Sequence, residues 1–461
     1  MSANLLNEFE DTIVALATPQ GVGAIGIVRL SGTNAILIAN QVFKGKNLFE
    51  QDSHTIHFGK IIDEETIIDE VLVSIFIAPK SFTKENVVEI SSHGSPYILQ
   101  KIIKLLLQKG ARLAKAGEFT KRAFLNGQFD LAQAEAVADL ICSDSEATHM
   151  AAMNQMRGGF SKKIKALREE LIHFASMIEL ELDFAEEDVE FANRTQLVEL
   201  IVKLQKEISK LIESFSIGNV IKNGVPTVIA GKPNSGKSTL LNTLLEEEKA
   251  IVSDIAGTTR DFIEDEIHIE GISFRFIDTA GIREARDKIE AIGIERTKEK
   301  MKAASVIIYL VDLLTETERD IYLEKNKLQK LGIPYLLVGN KTDKVSLKVK
   351  NLLASNHPDM ILISASSEEN VDQLKNALIH LVHLDDFNTG DTVVTNIRHI
   401  ESLTNTQTAL DDVLKGIDKK VTGDFLAMDI RQALHHLGEI TGEITTDDLL
   451  GNIFSKFCIG K

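Results

Sequence analysis

The sequence lacks tryptophan, is poor in cysteine and contains no long hydrophobic run. Only two cysteines, Cys142 and Cys458, occur among the 461 residues. They are too few for a disulfide framework, so a reducing compartment such as the cytoplasm is expected. No apolar run approaches the roughly 18 residues that would span a membrane. The acidic residues Glu8, Glu10 and Asp11 occupy a region where a signal peptide would carry positive charge. We therefore expect a cytoplasmic protein without a membrane span.

The sequence also lacks an excess of basic residues. Its formal net charge of −17 argues against a protein that coats nucleic acid, so any RNA contact must be local or supplied by a partner. The chain is too long for one hydrophobic core and suggests about three domains. A content of 44% hydrophobic and 26% charged residues is ordinary for a globular protein.

The clearest motif is a phosphate-binding loop, GKPNSGKS, at residues 231–238. It follows the apolar run Val225–Ala230, a predicted strand, and precedes a predicted amphipathic helix that begins at Thr239. The pattern GxxxxGK[ST] requires this strand–loop–helix context. Its glycines permit a tight bend that points backbone N–H groups at phosphate oxygens, next to the positive end of a helix. Lys237 is predicted to contact the β- and γ-phosphates, and the Ser238 hydroxyl to bind Mg²⁺.

A second motif, NKTD at residues 340–343, follows a further predicted strand and selects the base. The Asp343 carboxylate can accept two hydrogen bonds from guanine N1–H and N2–H₂, a pair of donors that adenine does not offer. Asn340 is expected to brace the loop. Ser364 and Ala365, after another predicted strand, are expected to offer a backbone N–H to the base carbonyl. These features predict a guanine nucleotide.

Two segments between these motifs are typical of GTPase switches: GTTRD at residues 257–261 and DTAG at residues 278–281. Thr259 is the expected second hydroxyl ligand of Mg²⁺, and such segments are ordered by the γ-phosphate and released on hydrolysis. Ile282 occupies the position of the water-orienting glutamine in Ras-type patterns and cannot hydrogen-bond water. A polar residue nearby must replace that glutamine, and the candidates are Arg283, Glu284, Asp287 and Glu290.

The predicted GTP-binding residues come from the phosphate loop, the switch segments and the base-reading loops. They are Asn234, Ser235, Gly236, Lys237, Ser238, Thr239, Ser253, Asp254, Ile255, Ala256, Gly257, Thr258, Thr259, Asp278, Thr279, Ala280, Gly281, Asn340, Lys341, Asp343, Ser364, Ala365 and Ser366.

The N-terminal region, from about residue 12 to 115, is predicted to mix strands and helices. The letters GVGAIG at residues 21–26 match a dinucleotide-binding fingerprint. An alternating strand follows them instead of a helix, so a glycine turn between two strands is predicted. Basic residues concentrate between Lys101 and Arg122. They form either a solvated surface or a local landing site for an anionic cofactor or RNA.

Helical periodicity dominates residues 132–215 and returns at residues 394–417 and 424–457. Because these helical stretches flank one globular insert, we expect them to join into one domain. The predicted fold class is multidomain α/β with three parts. They are an N-terminal α+β domain at 1–121, a discontinuous all-α domain at 122–219 and 383–461, and an inserted Ras-like P-loop GTPase domain at 220–382.

Several motifs outside the nucleotide-binding segment are shared with one family. They are Thr18-Pro19, Ser81-Phe82-Thr83, His93-Gly94, and the segments 117–120, 123–126, 130–136 and 457–461. Over essentially its whole length the chain resembles the MnmE (TrmE) family of bacterial tRNA-modification GTPases.

This resemblance implies a homodimer whose N-terminal domains pair and bind a tetrahydrofolate derivative (5-formyl or 5,10-methylene) as one-carbon donor. It also implies a heterooligomeric complex with the FAD-dependent protein MnmG (GidA). That complex would add a (carboxymethyl)aminomethyl group at C5 of the wobble uridine in certain tRNAs. The implied folate-binding residues are Arg29, Glu89, Gln128 and Lys461; Gln128 stands where relatives can carry a lysine.

The resemblance further implies that K⁺ replaces an arginine finger and that Glu290 positions the attacking water. The implied K⁺ ligands are Asn234, Ser253, Ile255 and Thr258, and the Mg²⁺ ligands are Ser238 and Thr259. Two alternatives stay open. A ribosome-assembly GTPase of the same superfamily would share the GTPase motifs but not the flanking domains, and a GTP-dependent scaffold would use its N-terminal domain only to dimerise.

Overall fold

The computed structural model describes residues 11–183, 194–249, 265–277, 304–382 and 392–460. The chain divides into two compact units. The first unit takes in residues 1–141, 155–206 and 401–461, and the second takes in residues 142–154 and 207–400. Each unit contains one sheet with helices, which is the predicted multidomain α/β class.

The helices are listed here in chain order. They are α1 Ala35–Val42, α2 Pro96–Gln108, α3 Glu118–Leu125, α4 Leu131–Cys142, α5 Glu146–Met156, α6 Gly159–Asp183, α7 Arg194–Asn223, α8 Lys237–Lys249, α9 Glu318–Leu331, α10 Leu347–Asn356, α11 Val371–Leu381, α12 Ile397–Asp418, α13 Gly423–Thr441 and α14 Asp447–Phe454, with short 3₁₀ turns at Leu48–Glu50 and Thr342–Lys344.

A seven-stranded sheet forms the N-terminal part of the first unit, with the strand order β3-β4-β5-β6-β2-β1-β7. The strands are β1 Ile13–Leu16, β2 Ile25–Ser31, β3 Phe43–Lys44, β4 Thr55–Asp63, β5 Thr66–Phe76, β6 Val87–His93 and β7 Arg112–Leu113. Neighbouring strands run antiparallel except for β1 and β7. Residues 21–24 connect β1 to β2 without a helix, which confirms the predicted glycine turn.

The two faces of this sheet differ because apolar residues alternate along its strands. One face, carrying for example Val28, Val73 and Ile90, is buried in a core with residues of α1 and α2. The opposite face, called the outer face below, is covered by α3 near β1 and β2, where Phe119 packs against Ile13 and lies over Arg29. Elsewhere the outer face exposes large apolar side chains; Ile25, Ile56, Phe58 and Leu72 are 63%, 65%, 64% and 47% exposed.

The two predicted helical stretches pack together within the first unit. The Arg431 Nε atom on α13 donates to Glu179 Oε1 on α6 at 2.8 Å. The Gln205 Nε2 atom on α7 donates to Asp411 Oδ1 on α12 at 2.6 Å. Helices from both sides of the insert therefore form one discontinuous helical body, as predicted. The C-terminal stretch is two helices, since the chain turns after α13 at Gly442, where φ is +80°.

The second unit contains a six-stranded sheet in the order β13-β12-β11-β8-β10-β9. Its strands are β8 Val225–Gly231, β9 Asp265–Ile269, β10 Ile272–Phe276, β11 Val306–Asp312, β12 Tyr335–Asn340 and β13 Met360–Leu362. All neighbouring strands are parallel except β9 and β10. The carboxyl ends of β8, β11 and β12 meet at one edge, the place where open parallel sheets bind ligands.

Residues 142–154, predicted as part of the helical domain, belong to the second unit. The Thr148 hydroxyl donates to the Ile221 carbonyl oxygen at 2.9 Å, and the Ala147 N–H donates to the Gly271 carbonyl oxygen at 3.3 Å. The start of α5 therefore packs with the sheet that carries the phosphate loop. The predicted domain boundaries stay predictions. Within the described ranges, no helix has the length and apolar character needed to cross a membrane.

Candidate functional site

The phosphate loop connects β8 to α8 through backbone conformations that favour glycine. Gly231, Asn234 and Gly236 have φ values of +147°, +60° and +99°. A Cβ atom on Gly236 would lie 2.2 Å from Asn340 Nδ2, so any side chain there would collide with the base-reading loop. The glycine is needed both for the conformation and for this close approach. Ser238 and Thr239 follow in the first turn of α8.

The Lys237 ammonium is held inside the phosphate loop by backbone oxygens. Its Nζ atom donates to the carbonyl oxygens of Gly231 at 2.9 Å and Lys232 at 2.8 Å. Burial lowers the pKa of Lys237, and the nearby charge of Glu316 partly opposes that shift. A buried cation whose hydrogen-bond partners are neutral carbonyls is stabilised by an incoming anion. The arrangement fits a loop that accepts phosphate oxygens.

Asn340 ties three segments of the candidate site together. Its Nδ2 atom donates to the Ser235 carbonyl oxygen at 2.9 Å. Its Oδ1 atom accepts from the Lys341 N–H at 2.8 Å and from the Ala365 N–H at 3.0 Å. The side chain is buried, at 3% exposure, so these bonds are shielded from water. Asn340 braces the phosphate loop against the loops predicted to surround the base.

Asp343 lies exposed on the 3₁₀ turn after β12. The Ser364 hydroxyl donates to Asp343 Oδ1 at 2.7 Å and lies 3.3 Å from the Ser366 hydroxyl. This bond fixes the orientation of the carboxylate at the mouth of the site. The geometry suits the predicted role of Asp343 as an acceptor for guanine, which stays a prediction.

Asp312 is a residue of this site that sequence reasoning missed. The Lys341 Nζ atom donates to Asp312 Oδ2 at 2.7 Å and to the Asn234 carbonyl oxygen at 2.8 Å. Burial opposes ionisation of Asp312, but the hydrogen bond and charge of Lys341 hold its pKa below the usual value. Asp312 therefore anchors Lys341 across the phosphate loop. The sequence feature that could have identified Asp312 is its position as an acidic residue directly after the apolar run 306–311.

Several predicted site residues lie outside the described part of the chain. They are Ser253, Asp254, Ile255, Ala256, Gly257, Thr258, Thr259, Asp278, Thr279, Ala280, Gly281, Glu290 and Lys461. Their roles stay predictions. Of the predicted K⁺ ligands, Asn234 is described; it is exposed in the phosphate loop, and its side chain makes no hydrogen bond within the described ranges.

The predicted folate residues Arg29 and Glu89 lie opposite each other on β2 and β6. Their side chains form an ion pair, with Arg29 Nε 2.8 Å from Glu89 Oε1. Arg29 Nη1 also donates to the Gly460 carbonyl oxygen at 3.2 Å, and the guanidinium lies 5.7 Å from the centre of the Phe119 ring. The structure therefore brings together Arg29, Glu89 and the residue before Lys461.

The structure does not place Gln128, the remaining described member of the predicted folate set, in contact with this ion pair. It is exposed in the turn after α3, where its backbone N–H donates to the Ala123 carbonyl oxygen at 2.8 Å. Among the described residues, no hydrogen bond joins its side chain to Arg29 or Glu89.

The C-terminal tail reaches the sheet through backbone contacts. The Gly117 N–H donates to the Cys458 carbonyl oxygen at 3.3 Å, and Ala116 and Ile459 form an isolated antiparallel bridge. Gly460 has φ = +98°, and a Cβ atom there would lie 2.2 Å from the Leu16 carbonyl oxygen. Only glycine fits this approach, which places Gly460 beside β1 and β2.

Part of the basic segment 101–122 is neutralised inside the first unit. Arg122 is fully buried, and its guanidinium bonds Asp11 Oδ1 at 2.6 Å and Glu118 Oε1 at 3.1 Å. Arg112 donates to Glu118 Oε1 at 2.6 Å. These arginines are structural. Arg112, Lys115 and Lys121 line a cleft of about 550 Å³ together with α14 residues, and the predicted landing site for an anionic cofactor or RNA stays a prediction.

We expect Arg122→Ala to destabilise the protein by about 3–5 kcal/mol, because it removes a fully buried cation that pairs with Asp11, Glu85 and Glu118. Lys60→Ala is the matched control. It removes an exposed ion pair with Glu70, for which a loss below about 1 kcal/mol is expected. Denaturant unfolding of both variants measures the difference. Equal stability of the two variants would contradict a structural role for Arg122.

The same cluster predicts a pH dependence of stability. Burial opposes the ionisation of Asp11 and Glu118, yet hydrogen bonds from Arg112 and Arg122 leave both carboxyl pKa values lowered. A lowered folded-state pKa gives stability that is present above the unfolded-state pKa and is lost as pH falls through the folded-state pKa. Arg122→Ala should remove part of this acid-dependent loss.

The parallel sheet, the phosphate loop after β8 and the Asn-Lys-x-Asp loop after β12 define a P-loop nucleotide-binding protein of the GTPase class. Two family profiles match the chain. One covers the N-terminal region, and the other covers the rest of the chain, including the phosphate loop and the Asn-Lys-x-Asp loop. The profile described as GTP-binding protein TrmE N-terminus matches residues 12–128, and that described as MnmE helical domain matches residues 131–458.

Full-length relatives agree with both profiles. A protein of Cytophaga hutchinsonii named tRNA modification GTPase MnmE is 61% identical over 100% of both chains. Proteins of the same name from Flavobacterium psychrophilum and Bacteroides fragilis are 55% and 52% identical, each over 98% of this chain and 100% of their own. The chain belongs to the MnmE family of tRNA modification GTPases, and it is a GTPase that acts in tRNA modification.

Proposed function

We propose that this chain is a K⁺-dependent GTP hydrolase that works with MnmG on the wobble uridine of certain tRNAs. Together they would add a (carboxymethyl)aminomethyl group at C5 with a one-carbon unit from a tetrahydrofolate derivative. The observation that supports folate use best is the contact of the C-terminal tail with the Arg29–Glu89 ion pair. The tRNA substrate makes the cytoplasm the proposed compartment.

The folate site would be built on the outer face from both ends of the chain. Glu89 offers a carboxylate to the donor-bearing edge of a pterin ring, and Arg29 holds that carboxylate in place at 2.8 Å. Arg29 also bonds the Gly460 carbonyl oxygen, and the adjacent Lys461 would supply a cation. This donor set fits a ligand that combines a polar ring edge with negative charge.

Exposed apolar side chains on the same outer face support the proposed homodimer. Ile56, Phe58 and Leu72 are largely exposed, and Phe58 and Leu72 are cross-strand partners on β4 and β5. Exposed contiguous apolar side chains on a sheet face favour association with another protein surface. A second copy of this chain, presenting the same face, is the partner that we propose.

In the GTPase unit, Lys237 would hold the β- and γ-phosphates, and Ser238 and Thr259 would hold Mg²⁺. K⁺, bound by oxygens of Asn234, Ser253, Ile255 and Thr258, would supply positive charge where negative charge develops on phosphate oxygens. The exposed Asn234 side chain, unbonded within the described ranges, is free to offer its carbonyl oxygen. Glu290 would accept a hydrogen bond from the attacking water and orient it.

We expect the GTPase rate to rise steeply when K⁺ replaces Na⁺. Glu290→Ala should lower that rate by about 10²–10⁴-fold, the usual contribution of a positioned acid–base residue, while GTP affinity stays unchanged. Glu284→Ala, at another of the candidate carboxylates, should keep most of the rate, which distinguishes the two candidates. A rate indifferent to the cation, or a fully active Glu290→Ala, would contradict this mechanism.

Folate binding is tested with Glu89→Ala and a labelled tetrahydrofolate derivative. We expect affinity to fall about 10–100-fold, because a charge-assisted hydrogen bond contributes about 1.5–3 kcal/mol. The control is Glu70→Ala, which removes another carboxylate from an ion pair on the same sheet. Unchanged affinity of Glu89→Ala would remove Glu89 from the site. Failure of the unaltered protein to bind any folate would favour the scaffold alternative.

A further inference from the structure

A second lysine of the phosphate loop, Lys232, is paired with two carboxylates that follow β11. Its Nζ atom lies 3.3 Å from Glu316 Oε2 and 3.2 Å from Asp320 Oδ1. The Glu316 side chain is 2% exposed, whereas that of Lys232 is 42% exposed. A carboxylate buried to this degree requires a nearby cation, and Lys232 supplies one.

Glu316 is held in place by the end of β11. Its Oε1 atom accepts a hydrogen bond from the Asp312 N–H at 2.9 Å, and its own N–H donates to the Asp312 carbonyl oxygen at 2.9 Å. Oε2 is the oxygen that faces Lys232. Within the described ranges Oε2 accepts no hydrogen bond, so the charge of Lys232 is what stabilises it there.

The backbone of Lys232 connects this ion pair to the cation of the phosphate loop. The Lys232 carbonyl oxygen accepts from the Lys237 Nζ atom at 2.8 Å. One residue therefore contacts Glu316 through its side chain and Lys237 through its carbonyl group. A shift of Lys232 would move an oxygen that holds the ammonium predicted to meet the phosphates.

The other side of the phosphate loop is held by the same region after β11. The Lys341 Nζ atom joins Asp312 Oδ2 to the Asn234 carbonyl oxygen. The region after β11 thus fixes the loop at positions 232 and 234. A loop that is ordered before its ligand arrives loses less conformational freedom on binding. The motif GxxxxGK[ST] leaves residue 232 unspecified, so any role of Lys232 comes from these contacts.

We propose that Lys232 and Glu316 are positioning residues for nucleotide binding. Glu316, together with Asp320, holds the Lys232 side chain, and the Lys232 carbonyl oxygen then keeps the Lys237 ammonium where the β- and γ-phosphates bind. Lys232 and Glu316 act through Lys237 and do not touch the nucleotide. The inference rests on the proposed contact of Lys237 with the phosphates.

Two substitutions of opposite charge test this arrangement in the full-length protein. Lys232→Met removes the cation with little change in length and should weaken GTP binding about tenfold, the loss of one charge-assisted contact. Glu316→Gln keeps an oxygen for the Asp312 N–H and should show a smaller loss, because Asp320 still pairs with Lys232. Both variants should bind guanosine, which has no phosphate, as the unaltered protein does.

Further variants separate the ion pair from other effects of substitution. Lys232→Arg keeps the charge and should bind GTP normally. The double variant of Lys232→Met and Glu316→Gln should bind GTP no more weakly than Lys232→Met, because both changes remove the same contact. Lys325→Ala is the matched control. It removes a different ion pair of α9, with Asp359, and should bind GTP normally.

The sign of the Glu316→Gln effect distinguishes positioning from simple electrostatics. Loss of a negative charge near a bound triphosphate strengthens binding if electrostatics alone act. Tighter or unchanged GTP binding by Glu316→Gln would therefore overturn the proposal. Equal losses for GTP and guanosine would also overturn it, since they indicate general structural damage, which thermal unfolding of each variant would show.

Lys237→Ala separates this inference from the phosphate contact on which it rests. If Lys237→Ala loses GTP affinity while Lys232→Met binds GTP normally, the positioning role alone is overturned. If Lys237→Ala itself binds GTP normally, the proposed phosphate contact is contradicted, and the positioning role with it.

Discussion

Asp343→Asn is expected to change the nucleotide preference of the chain from GTP to xanthosine triphosphate. The Ser364 hydroxyl donates to Asp343 Oδ1 at 2.7 Å, and an asparagine oxygen at the same position would keep this bond. The amide –NH₂ group would then take the place of the second carboxylate oxygen and face the base. Guanine presents two donors at that edge and would be repelled, whereas xanthine presents a carbonyl oxygen that accepts.

The expected size of this effect is large because two charge-assisted hydrogen bonds are lost at once. At about 1.5–3 kcal/mol each, GTP affinity should fall by about 10²–10⁴-fold. Dissociation constants for GTP and xanthosine triphosphate measure the change. Asp372→Asn, an exposed carboxylate at the start of α11, serves as the control. Unchanged GTP affinity in Asp343→Asn would show that another residue selects the base.

Lys237→Ala is expected to remove most of the triphosphate binding. Lys237 is the cation inside the phosphate loop, and it also holds the carbonyl oxygens of Gly231 and Lys232. The substitution removes the charge that meets the β- and γ-phosphates and loosens the loop around them. We expect a loss of GTP affinity of about 10²-fold or more, from at least one charged hydrogen bond together with the loss of loop order.

Comparison of GTP with guanosine distinguishes a phosphate contact from general unfolding of the site. A Lys237→Ala protein should lose affinity for GTP much more than for guanosine, because the base-reading residues Asn340 and Asp343 are unchanged. Lys330→Ala, an exposed cation near the end of α9, is the matched control and should bind GTP normally. Equal GTP affinity in Lys237→Ala and the control would contradict the phosphate-loop assignment.

The nucleotide-binding loops could be predicted from sequence because each motif is contiguous and lies in a recognisable strand–loop–helix context. Residues 231–238 and 340–343 specify their local conformation through glycines and through Asn340. The sequence did not reveal that Lys341 reaches Asp312 and the Asn234 carbonyl oxygen. That contact forms because β8, β11 and β12 lie side by side in the sheet. This arrangement depends on tertiary packing and not on a local motif.

The candidate folate-binding residues, in contrast, could not be predicted from contiguous sequence motifs. Their assignment came from resemblance, and composition or periodicity could not have predicted it. The hydrogen bond between Arg29 and Gly460 joins residues 431 positions apart, so no local pattern contains it. Gln128 carried over from the same resemblance, but the structure places it in an exposed turn without a hydrogen bond to Arg29 or Glu89.

The most direct test of the central claim is nucleoside analysis of tRNA from a strain that lacks this chain. We predict that the (carboxymethyl)aminomethyl group at C5 of the wobble uridine disappears, and that the unaltered chain restores it. Complementation with Lys237→Ala should fail, because GTP binding is required, whereas Lys330→Ala should succeed. Normal wobble uridine modification in the deletion strain would contradict the claim that GTP hydrolysis by this chain serves this reaction.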